Sequence, residues 1–378
     1  MKFSINRSKF VEQLNNVQFA ISSRSTIPVL SGIKLVAQNN QLILTGSDAD
    51  ISIEASIEVD EESQLEIEKT GSIVVMPARM LMEIVKKLPD ETVVIELKES
   101  TQVSIDSKTS SFVINGIEAD QYPHLPEIDA DKRIRLPAQL FKQIIRQTVI
   151  AVSKHESRPI LTGVEFFIEN NQLTAVATDS HRLSRRTITL EESYSNSLSF
   201  VIPGKSLTEL NRIISDDIES LDLYVTDSQV LFAIPQINFY SRLLEGNYPN
   251  TDQLIPSESN TKVILDADLF EAAVDRASLL SHAGKNNVIK LIIAEDHMEV
   301  FGDYPGIGQI EEDIPFKSIE GDPIEISFNP DYMKQALNAF GPVEVGIELI
   351  GALRPFIIKP SDGSLDFVQL ITPIRTPE

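Results

Sequence analysis

Three consecutive residues in the middle of the chain, Asp179, Ser180 and His181, have the residue types of a hydrolase triad. In such a triad the nucleophile, the base and the group that orients the base form one chain of hydrogen bonds. We interpret these residues as neighbours on one strand, whose side chains point to alternate faces and cannot form that chain. No catalytic residue and no enzymatic activity is therefore predicted.

The other residue types that carry chemistry give no site either. The chain has no cysteine, which excludes disulfides and thiolate metal sites. Neither GxxxxGK[ST] nor GxGxxG occurs, so no nucleotide-binding loop is predicted. The five histidines lack the paired spacing of a metal site, and we predict no metal and no cofactor; they are His124, His155, His181, His282 and His297.

The composition points to an acidic protein of several domains. The 378 residues are 42% hydrophobic, which suits two or three ordinary cores, and the formal net charge is -23. That charge alone disfavours DNA binding, because proteins that release counterions from DNA are basic at the contact face. The first residues lack the apolar core of a signal peptide, and no apolar run could span a bilayer. We expect a cytoplasmic protein that does not enter membranes.

An internal repeat organises the chain. The segment PVLSGIKLVAQNNQL from Pro28 returns 131 residues later as PILTGVEFFIENNQL from Pro159. A third, more diverged copy starts near Leu265, where LDADLFEAAVDRASLLS matches LPAQLFKQIIRQTVIAVS from Leu136. A repeat of this kind indicates one structural unit used three times.

Each copy contains two helix patterns. The second pattern begins at Pro77, Pro203 and Pro330, and we place these prolines in the first helical turn, where a missing N–H is tolerated. Apolar residues three and four apart mark one buried stripe per helix. The predicted helices span residues 6–22, 77–88, 137–152, 203–215, 266–281 and 330–340.

Short alternating runs between the helices predict half-buried antiparallel strands, among them QLILTGS, TVVIEL and SSFVING. The fold class is therefore α+β, with three repeated domains that each pack two helices on two antiparallel sheets. The turn-rich loops QYPHLPEIDADKR and GNYPNTDQLIPSESN suggest boundaries, which gives domains at 1–128, 129–256 and 257–378.

This arrangement resembles the bacterial sliding clamp family, the beta subunits of DNA polymerase III. The stretches MKFSINRSKF, TIPVLSGI, ATDSHRL and ITPIRT are similar to the family's signature stretches, and they stand in the family's order. The resemblance spans the whole chain. It implies DNA-clamp domains that dimerise into a closed ring, and a processivity factor that encircles double-stranded DNA without reading its sequence.

Charge is distributed unevenly, in a way that suits a ring. The predicted helices carry 11 basic against 8 acidic residues, whereas the rest of the chain carries 22 against 48. Helices lining a hole would allow loose phosphate contacts without base readout. A solvated helix face is the equally open alternative for any single residue. The charge count favours the helix residues Arg79, Lys86, Lys142, Arg146, Lys205 and Arg212 as DNA-binding candidates. By resemblance, loops that carry Arg24, Lys154, Arg158 and Lys285 would approach the DNA at the edge of the hole.

The resemblance also implies two protein interfaces. In a head-to-tail homodimer, Phe112 and Ile114 would meet Leu279 and Leu280, although core packing explains the first pair as well. A hydrophobic cleft between the second and third domains would bind short peptides of the replicative polymerase, the clamp loader and other proteins with clamp-binding motifs. The cleft residues implied are Leu161, Thr178, His181, Arg182, Leu183, Pro249, Leu254, Asn329, Tyr332, Ile371, Pro373, Ile374 and Arg375.

Two departures from the family's pattern concern the detailed peptide preference. The chain continues past Arg375 with Thr-Pro-Glu, and its loop carries Thr251 and Asp252 where many members have basic or aromatic residues. The competing function is a repeat-built scaffold or hydrolase that shares similar helix and sheet repeats.

Overall fold

The computed structural model describes residues 1–21, 27–125, 128, 133–284 and 286–376. Over these ranges the chain forms six α-helices, all at the places predicted from the sequence. They are α1 (Arg7–Val17), α2 (Ala78–Lys87), α3 (Ala138–Thr148), α4 (Gly204–Ile213), α5 (Ala267–Ala283) and α6 (Pro330–Phe340).

The strands of the first copy are β1 (Lys2–Asn6), β2 (Ile33–Gln38), β3 (Gln41–Ser47), β4 (Ile51–Glu58), β5 (Glu66–Lys69), β6 (Gly71–Val75), β7 (Thr92–Leu97), β8 (Gln102–Ser107) and β9 (Ser110–Ile117). The second copy has β10 (Arg133–Pro137), β11 (Gly163–Thr178), β12 (Arg182–Pro203), β13 (Ser220–Val225), β14 (Gln229–Ile234) and β15 (Ile237–Arg242). The third has β16 (Thr261–Asp266), β17 (Ile289–Ile293), β18 (Met298–Tyr304), β19 (Gly308–Asp313), β20 (Ser318–Gly321), β21 (Ile324–Phe328), β22 (Glu344–Leu349), β23 (Phe356–Pro360) and β24 (Phe367–Ile371).

The order of elements repeats three times, which confirms the threefold duplication. Each copy runs strand, helix, strands, helix and then three strands. The middle copy differs because two long strands, β11 and β12, replace the shorter strands of the other copies. The strand that precedes the first helix of each copy was not predicted.

One compact unit comprises residues 1–140 and 209–243. Its sheet contains thirteen strands in the order β10-β13-β14-β15-β4-β3-β2-β6-β9-β8-β7-β1-β5. Helix α1 buries Phe10, Leu14 and Val17, which lie three or four residues apart on one face. Phe10 packs edge-on against Phe3, with 6.1 Å between the ring centroids. The side chain of Asn6 caps α1 by accepting the backbone N–H of Ser8 at 2.9 Å.

The second compact unit comprises residues 141–208 and 244–378. Its larger sheet has the order β11-β12-β24-β23-β22-β16-β20, and its smaller sheet has the order β19-β18-β17-β21. Strands β12 and β24 pair from Arg182 with Ile371 to Arg186 with Phe367. The sheet therefore continues from the second copy into the third. Helices α5 and α6 pack on a core that includes Phe270, Phe328 and Phe356.

The prolines at the second helix of each copy stand differently from the prediction. Pro330 is the first residue of α6, as expected, but Pro77 lies just before α2 and Pro203 ends β12. A proline fits these preceding positions because its fixed φ angle is also compatible with extended backbone.

Within the described residues, none of the helices combines the length and the apolarity needed to cross a bilayer.

Candidate partner cleft and nucleic-acid interface

A tight turn between β11 and β12 contains Asp179, Ser180 and His181. Asp179 accepts the backbone N–H groups of His181 at 2.9 Å and Arg182 at 3.0 Å through Oδ1. Its Oδ2 accepts Nε of Arg182 at 3.0 Å. The strand placement proposed from the sequence is therefore wrong. The carboxylate of Asp179 fixes the turn and pairs with an arginine, so it does not orient His181 as a triad would require.

Arg182 links this turn to helix α6. Its side chain is only 6% exposed, and its Nη1 donates to Oε1 of Gln335 at 2.6 Å. Its Cζ lies 4.5 Å from the centroid of the Tyr332 ring. A buried guanidinium needs hydrogen-bond partners and a counter-charge, and Asp179 and Gln335 supply them. The result is a fixed polar wall between the turn and the helix.

An apolar cluster lies beside this wall. It consists of Val176, Leu183, Ile357, Val368 and Leu370, with Tyr248 and Ile255 packed against it. The hydroxyl of Tyr248 accepts the backbone N–H of Thr178 at 3.0 Å, and burial raises the pKa of this tyrosine. Leu183 is 1% exposed, so it forms the floor of this region and not its rim. Leu161, the other leucine predicted for the cleft, is also buried, at 4% exposure, but it is not part of this cluster.

Backbone hydrogen bonds hold the C-terminal segment next to the turn. The backbone N–H of Thr372 donates to the carbonyl of His181 at 2.9 Å, and that of Ile374 donates to the carbonyl of Ser327 at 2.7 Å. These bonds hold Pro373 and Ile374 half-buried, and Arg375 is exposed. Pro377 and Glu378 lie outside the described residues.

The loop before the third copy supplies the rim. Leu254 is 51% exposed, Pro249 is exposed and His181 is exposed. Thr251 is buried, whereas Asp252 reaches Arg185 with 3.5 Å between the charged atoms. Apolar side chains are thus available to solvent next to a buried apolar floor, which is the arrangement that a peptide with hydrophobic anchors requires.

Sequence reasoning missed several residues of this site. Gln335 lies one helical turn after Tyr332, so helical spacing could have identified it. Tyr248 belongs to the loop GNYPNTDQLIPSESN, whose composition indicates only a domain boundary. Val368 and Leu370 gave no separate signal, because an apolar strand near a chain end is equally typical of an ordinary core.

The predicted DNA-binding residues have unequal exposure. Arg146, Lys154, Arg158, Lys205 and Lys86 are exposed. In contrast, Lys142 is only 9% exposed, so it is poorly placed to reach a phosphate, and we remove it from the candidates. Burial at this helix position follows from its place beside Phe141 and Ile145, which the charge count alone did not reveal. Arg24 and Lys285 lie outside the described residues.

Two further candidates are engaged with carboxylates. Arg79 is 90% exposed and pairs with Glu83 at 2.9 Å. Arg212 pairs with Glu209 at 2.9 Å, and its Cζ lies 5.7 Å from the ring centroid of Phe19. Exposed pairs of this kind are worth little, so both arginines can exchange their partner for a phosphate at small cost.

The predicted dimer residues are exposed apolar side chains. Phe112 on β9 is 42% exposed and Ile114 is partly exposed; they pair with the buried Ile105 and Val103 of β8. Phe112 and Ile114 therefore lie on the same face of the sheet as the buried side chains of β8, but at its more exposed strand β9. Among the described residues, β9 pairs on its other side only at Gly116 and Ile117.

The third copy offers the other half of the predicted interface. On α5, Leu279 is 69% exposed and Leu280 is partly exposed. The predicted interface would cover both side chains.

One group of possible metal ligands occurs in the described part of the chain, formed by His297, Glu299 and Asp313. Nε2 of His297 lies 3.1 Å from Oε2 of Glu299, so the imidazole and the carboxylate already serve as partners. Asp313 is 84% exposed. An exposed ion pair explains this group, and we assign no metal to it.

Comparison with known proteins identifies the family. Models of the DNA polymerase III beta subunit match along the chain: the N-terminal domain at residues 1–126, the central domain at 135–250 and the C-terminal domain at 252–375. The chain is 47% identical over 380 residues to the beta sliding clamp of Bacillus subtilis strain 168, with 100% of both chains covered.

Solved structures agree with these matches. The crystal structure of the DNA polymerase sliding clamp from Bacillus subtilis superposes with a TM-score of 0.97 at 46% identity, and covers 100% of both chains. The DNA polymerase III beta chain from Streptococcus pneumoniae TIGR4 gives a TM-score of 0.96 at 40% identity, covering 99% of this chain and 100% of that one.

Proposed function

The chain belongs to the DNA polymerase III beta-subunit family, the bacterial sliding clamps, and we infer that it is a processivity factor that encircles double-stranded DNA and tethers a polymerase to it. The observation that carries this function is the match of all three clamp-domain models, in family order, from residue 1 to residue 375. The protein acts without catalysis, and it works in the cytoplasm, where the chromosome lies.

A closed ring explains how so acidic a protein can hold DNA. Two chains of three domains each would close head to tail with twofold symmetry, and the predicted interface joins Phe112 and Ile114 to Leu279 and Leu280. A ring around a duplex leaves it only by opening or by sliding off an end. Retention is then geometric, so the net charge of -23 is no obstacle.

The interactions with DNA are weak and independent of sequence. The exposed Arg146, Lys154 and Arg158 would offer charge to the phosphate backbone without reading base edges. Among the described residues none of these three forms an ion pair within the chain, which leaves them available. Interactions of this kind break easily, as sliding requires.

The partner cleft lies around the turn at Asp179 and the C-terminal segment. Its floor is the cluster with Leu183, its polar wall is Arg182 with Tyr332, and its rim includes Leu254. The C-terminal segment with the half-buried Ile374 borders it on another side. Replicative polymerase, clamp loader and other proteins would insert the apolar anchors of a short motif there, one partner at a time.

The ring is tested by comparing circular with linear DNA. Protein is loaded onto a nicked circular plasmid by the clamp loader, separated from free protein by gel filtration, and half of the sample is then cut once with a restriction enzyme. We expect retention on the circle and loss after cutting. Blocking both DNA ends with bound protein should restore retention on the linear form.

The mass of the free protein completes the test. We expect a dimer in solution and no turnover of ester, phosphate or glycoside substrates. A monomer that binds circular and linear DNA equally, or not at all, would instead support the repeat-built scaffold or hydrolase.

A further inference from the structure

A polar network holds the beginning of helix α6, next to the partner cleft. Asn329 caps the helix by accepting the backbone N–H of Asp331 at 2.8 Å. The carboxylate of Asp331 stands in the first turn, where a negative charge is favourable to the helix dipole. Tyr332, the cleft residue that packs against Arg182, follows directly.

Asn287 joins this helix start to the end of helix α5. Its Nδ2 donates to Oδ2 of Asp331 at 2.7 Å and lies 3.4 Å from Oδ1 of Asn329. Its Oδ1 accepts the hydroxyl of Ser281 at 2.7 Å. The single hydroxyl proton of Ser281 is shared between this amide oxygen and the more distant carbonyl of Ser278, at 3.1 Å, and Ser281 is fully buried. One amide therefore connects the last turn of α5 with the capping residue and first turn of α6.

Another residue can replace only part of what Asn287 contributes to this network. His282 also contacts Asp331, with 3.0 Å between Nε2 and Oδ1, but its side chain is 48% exposed. The bonds of Asn287 are partly buried, so water replaces them less well. Removal of this amide would leave Ser281 and Asp331 without the partner that joins them, and the first turn of α6 could shift relative to α5.

Such a shift would reach the cleft. Arg182 contacts α6 at two places, through Gln335 and through the ring of Tyr332. These contacts depend on the position and rotation of the first two turns of α6. A displacement of well under one side-chain diameter would separate the guanidinium from its amide partner, since hydrogen bonds weaken steeply with distance and angle.

We propose that Asn287 is a positioning residue for partner binding: it touches no peptide, but it fixes the start of α6 so that Asn329 and Tyr332 are correctly placed in the cleft. This inference rests on the proposed function. The positioning role requires a side chain that donates to Asp331 and accepts from Ser281. An asparagine does both, because its amide nitrogen donates and its amide oxygen accepts.

The test measures how tightly a fluorescein-labelled peptide from the clamp-binding segment of a replicative polymerase binds the full-length protein. Asn287→Ala removes both bonds, and Asn287→Asp faces the carboxylate of Asp331 with a second carboxylate. We expect each to raise Kd about tenfold, the typical effect of losing a partly buried hydrogen bond. The double variant Asn287→Asp with Asp331→Asn reverses donor and acceptor, and should return Kd to within about threefold of the wild type.

Asn338→Ala is the matched control. Asn338 also joins α6 to α5, through a 3.2 Å bond from its Nδ2 to Glu271, but lies near the other end of α6. We expect an unchanged peptide Kd for this variant. Melting temperatures of all variants identify any general loss of structure. The double variant, which exchanges donor and acceptor, would not restore binding if such a loss were the cause.

The outcomes separate this inference from the proposed function. Wild-type binding that Tyr332→Ala abolishes supports the cleft itself. If Asn287→Ala then binds as tightly as the wild type, or if Asn338→Ala weakens binding equally, the positioning role is wrong while the cleft stands. A wild-type protein that binds no peptide overturns both.

Discussion

Arg182 and Tyr332 are 150 positions apart in the sequence, yet the guanidinium carbon lies 4.5 Å from the centre of the tyrosine ring. The arginine is buried, with Asp179 on one side and Gln335 on the other. A cation in this position over an aromatic face is attracted by the ring's quadrupole, more strongly where water is excluded. The pair joins the turn after β11 to helix α6, and it gives the proposed cleft one rigid wall.

Replacing Arg182 with lysine should therefore weaken partner binding although the charge is kept. An ammonium cannot donate to Asp179 and Gln335 at once from a planar fork, nor stack on Tyr332 as a guanidinium does. We expect peptide Kd to rise about tenfold or more, measured by fluorescence anisotropy. Arg185→Lys is the control, because the ion pair of Arg185 in the described part of the chain is with Asp252, whose side chain is 82% exposed. Equal Kd values for the two variants would contradict the importance of this wall.

Leu183→Ala should weaken peptide binding and leave dimerisation unchanged, and the structure adds a second effect. Leu183 is 1% exposed within a small apolar cluster, so truncation leaves a cavity that costs about 2–5 kcal/mol of unfolding free energy. Chemical denaturation followed by fluorescence or circular dichroism checks this.

Leu183→Met separates the two effects, since it nearly preserves volume and should cost less than about 1.5 kcal/mol. Peptide affinity that is normal in Leu183→Ala, at a temperature where the variant is folded, would remove Leu183 from the cleft.

Regular structure was predictable here because the periodicities are strong and occur three times. All six helices were predicted, and runs such as Gln41–Ser47 and Thr92–Leu97 are strands with the predicted bounds. Local signals sufficed because each element buries one face, and burial imposes the period on the sequence.

What the sequence did not predict depends on contacts between distant residues. The sequence favours a strand at Asp179, because it does not show that this carboxylate accepts the backbone N–H groups that follow. Lys142 was counted as accessible because helical spacing alone does not distinguish a solvated from a covered position. Helical spacing places Gln335 one turn after Tyr332, but its bond to Arg182 forms only once α6 is packed against the turn. No local pattern indicates Asn287, because its bond to Asp331 also depends on this packing.

Replacing the exposed apolar residues of the predicted dimer interface should favour the monomer. Phe112→Ser and Leu279→Ser each remove an exposed apolar side chain, and buried aromatic and aliphatic anchors dominate most interfaces. We expect each variant to weaken dimerisation by at least about tenfold, measured by sedimentation at several concentrations. Phe167→Ser is the control, because Phe167 of β11 is 38% exposed, close to the 42% of Phe112. A dimer unaffected by both interface variants would refute this assignment.

Replacing the proposed DNA-binding residues should change how strongly DNA binding depends on salt concentration. Removing the charges of Arg146, Lys154 and Arg158 together should reduce the slope of log affinity against log salt by about one for each phosphate that is no longer neutralised. Binding to a primed duplex at several salt concentrations gives this slope. A control with the same charge change replaces Lys290, Lys317 and Lys359, which pair with carboxylates on the strands. If both triple variants have the same slope, the general charge of the protein and not these local positions governs binding.

The contact between His297 and Glu299 should add a small contribution to the stability of the folded protein, and this contribution should depend on pH. The hydrogen bond to Glu299 raises the pKa of His297 above its ordinary value of 6.5, and the charges of Asp313 and Asp296 act in the same direction. Because the folded pKa is higher than the unfolded one, the stabilisation is complete below the unfolded pKa and is lost as pH rises through the folded pKa.

His297→Gln should therefore lower the melting temperature near pH 5.5 and have no such effect near pH 9, where the imidazole of the wild type is neutral. Differential scanning calorimetry at both values measures the difference. His155→Gln is the control, because this exposed residue bonds Ser153 through its backbone and the substitution keeps those bonds. An equal loss in His297→Gln at both pH values would mean that packing, and not the charge on the imidazole, accounts for the contribution of this residue.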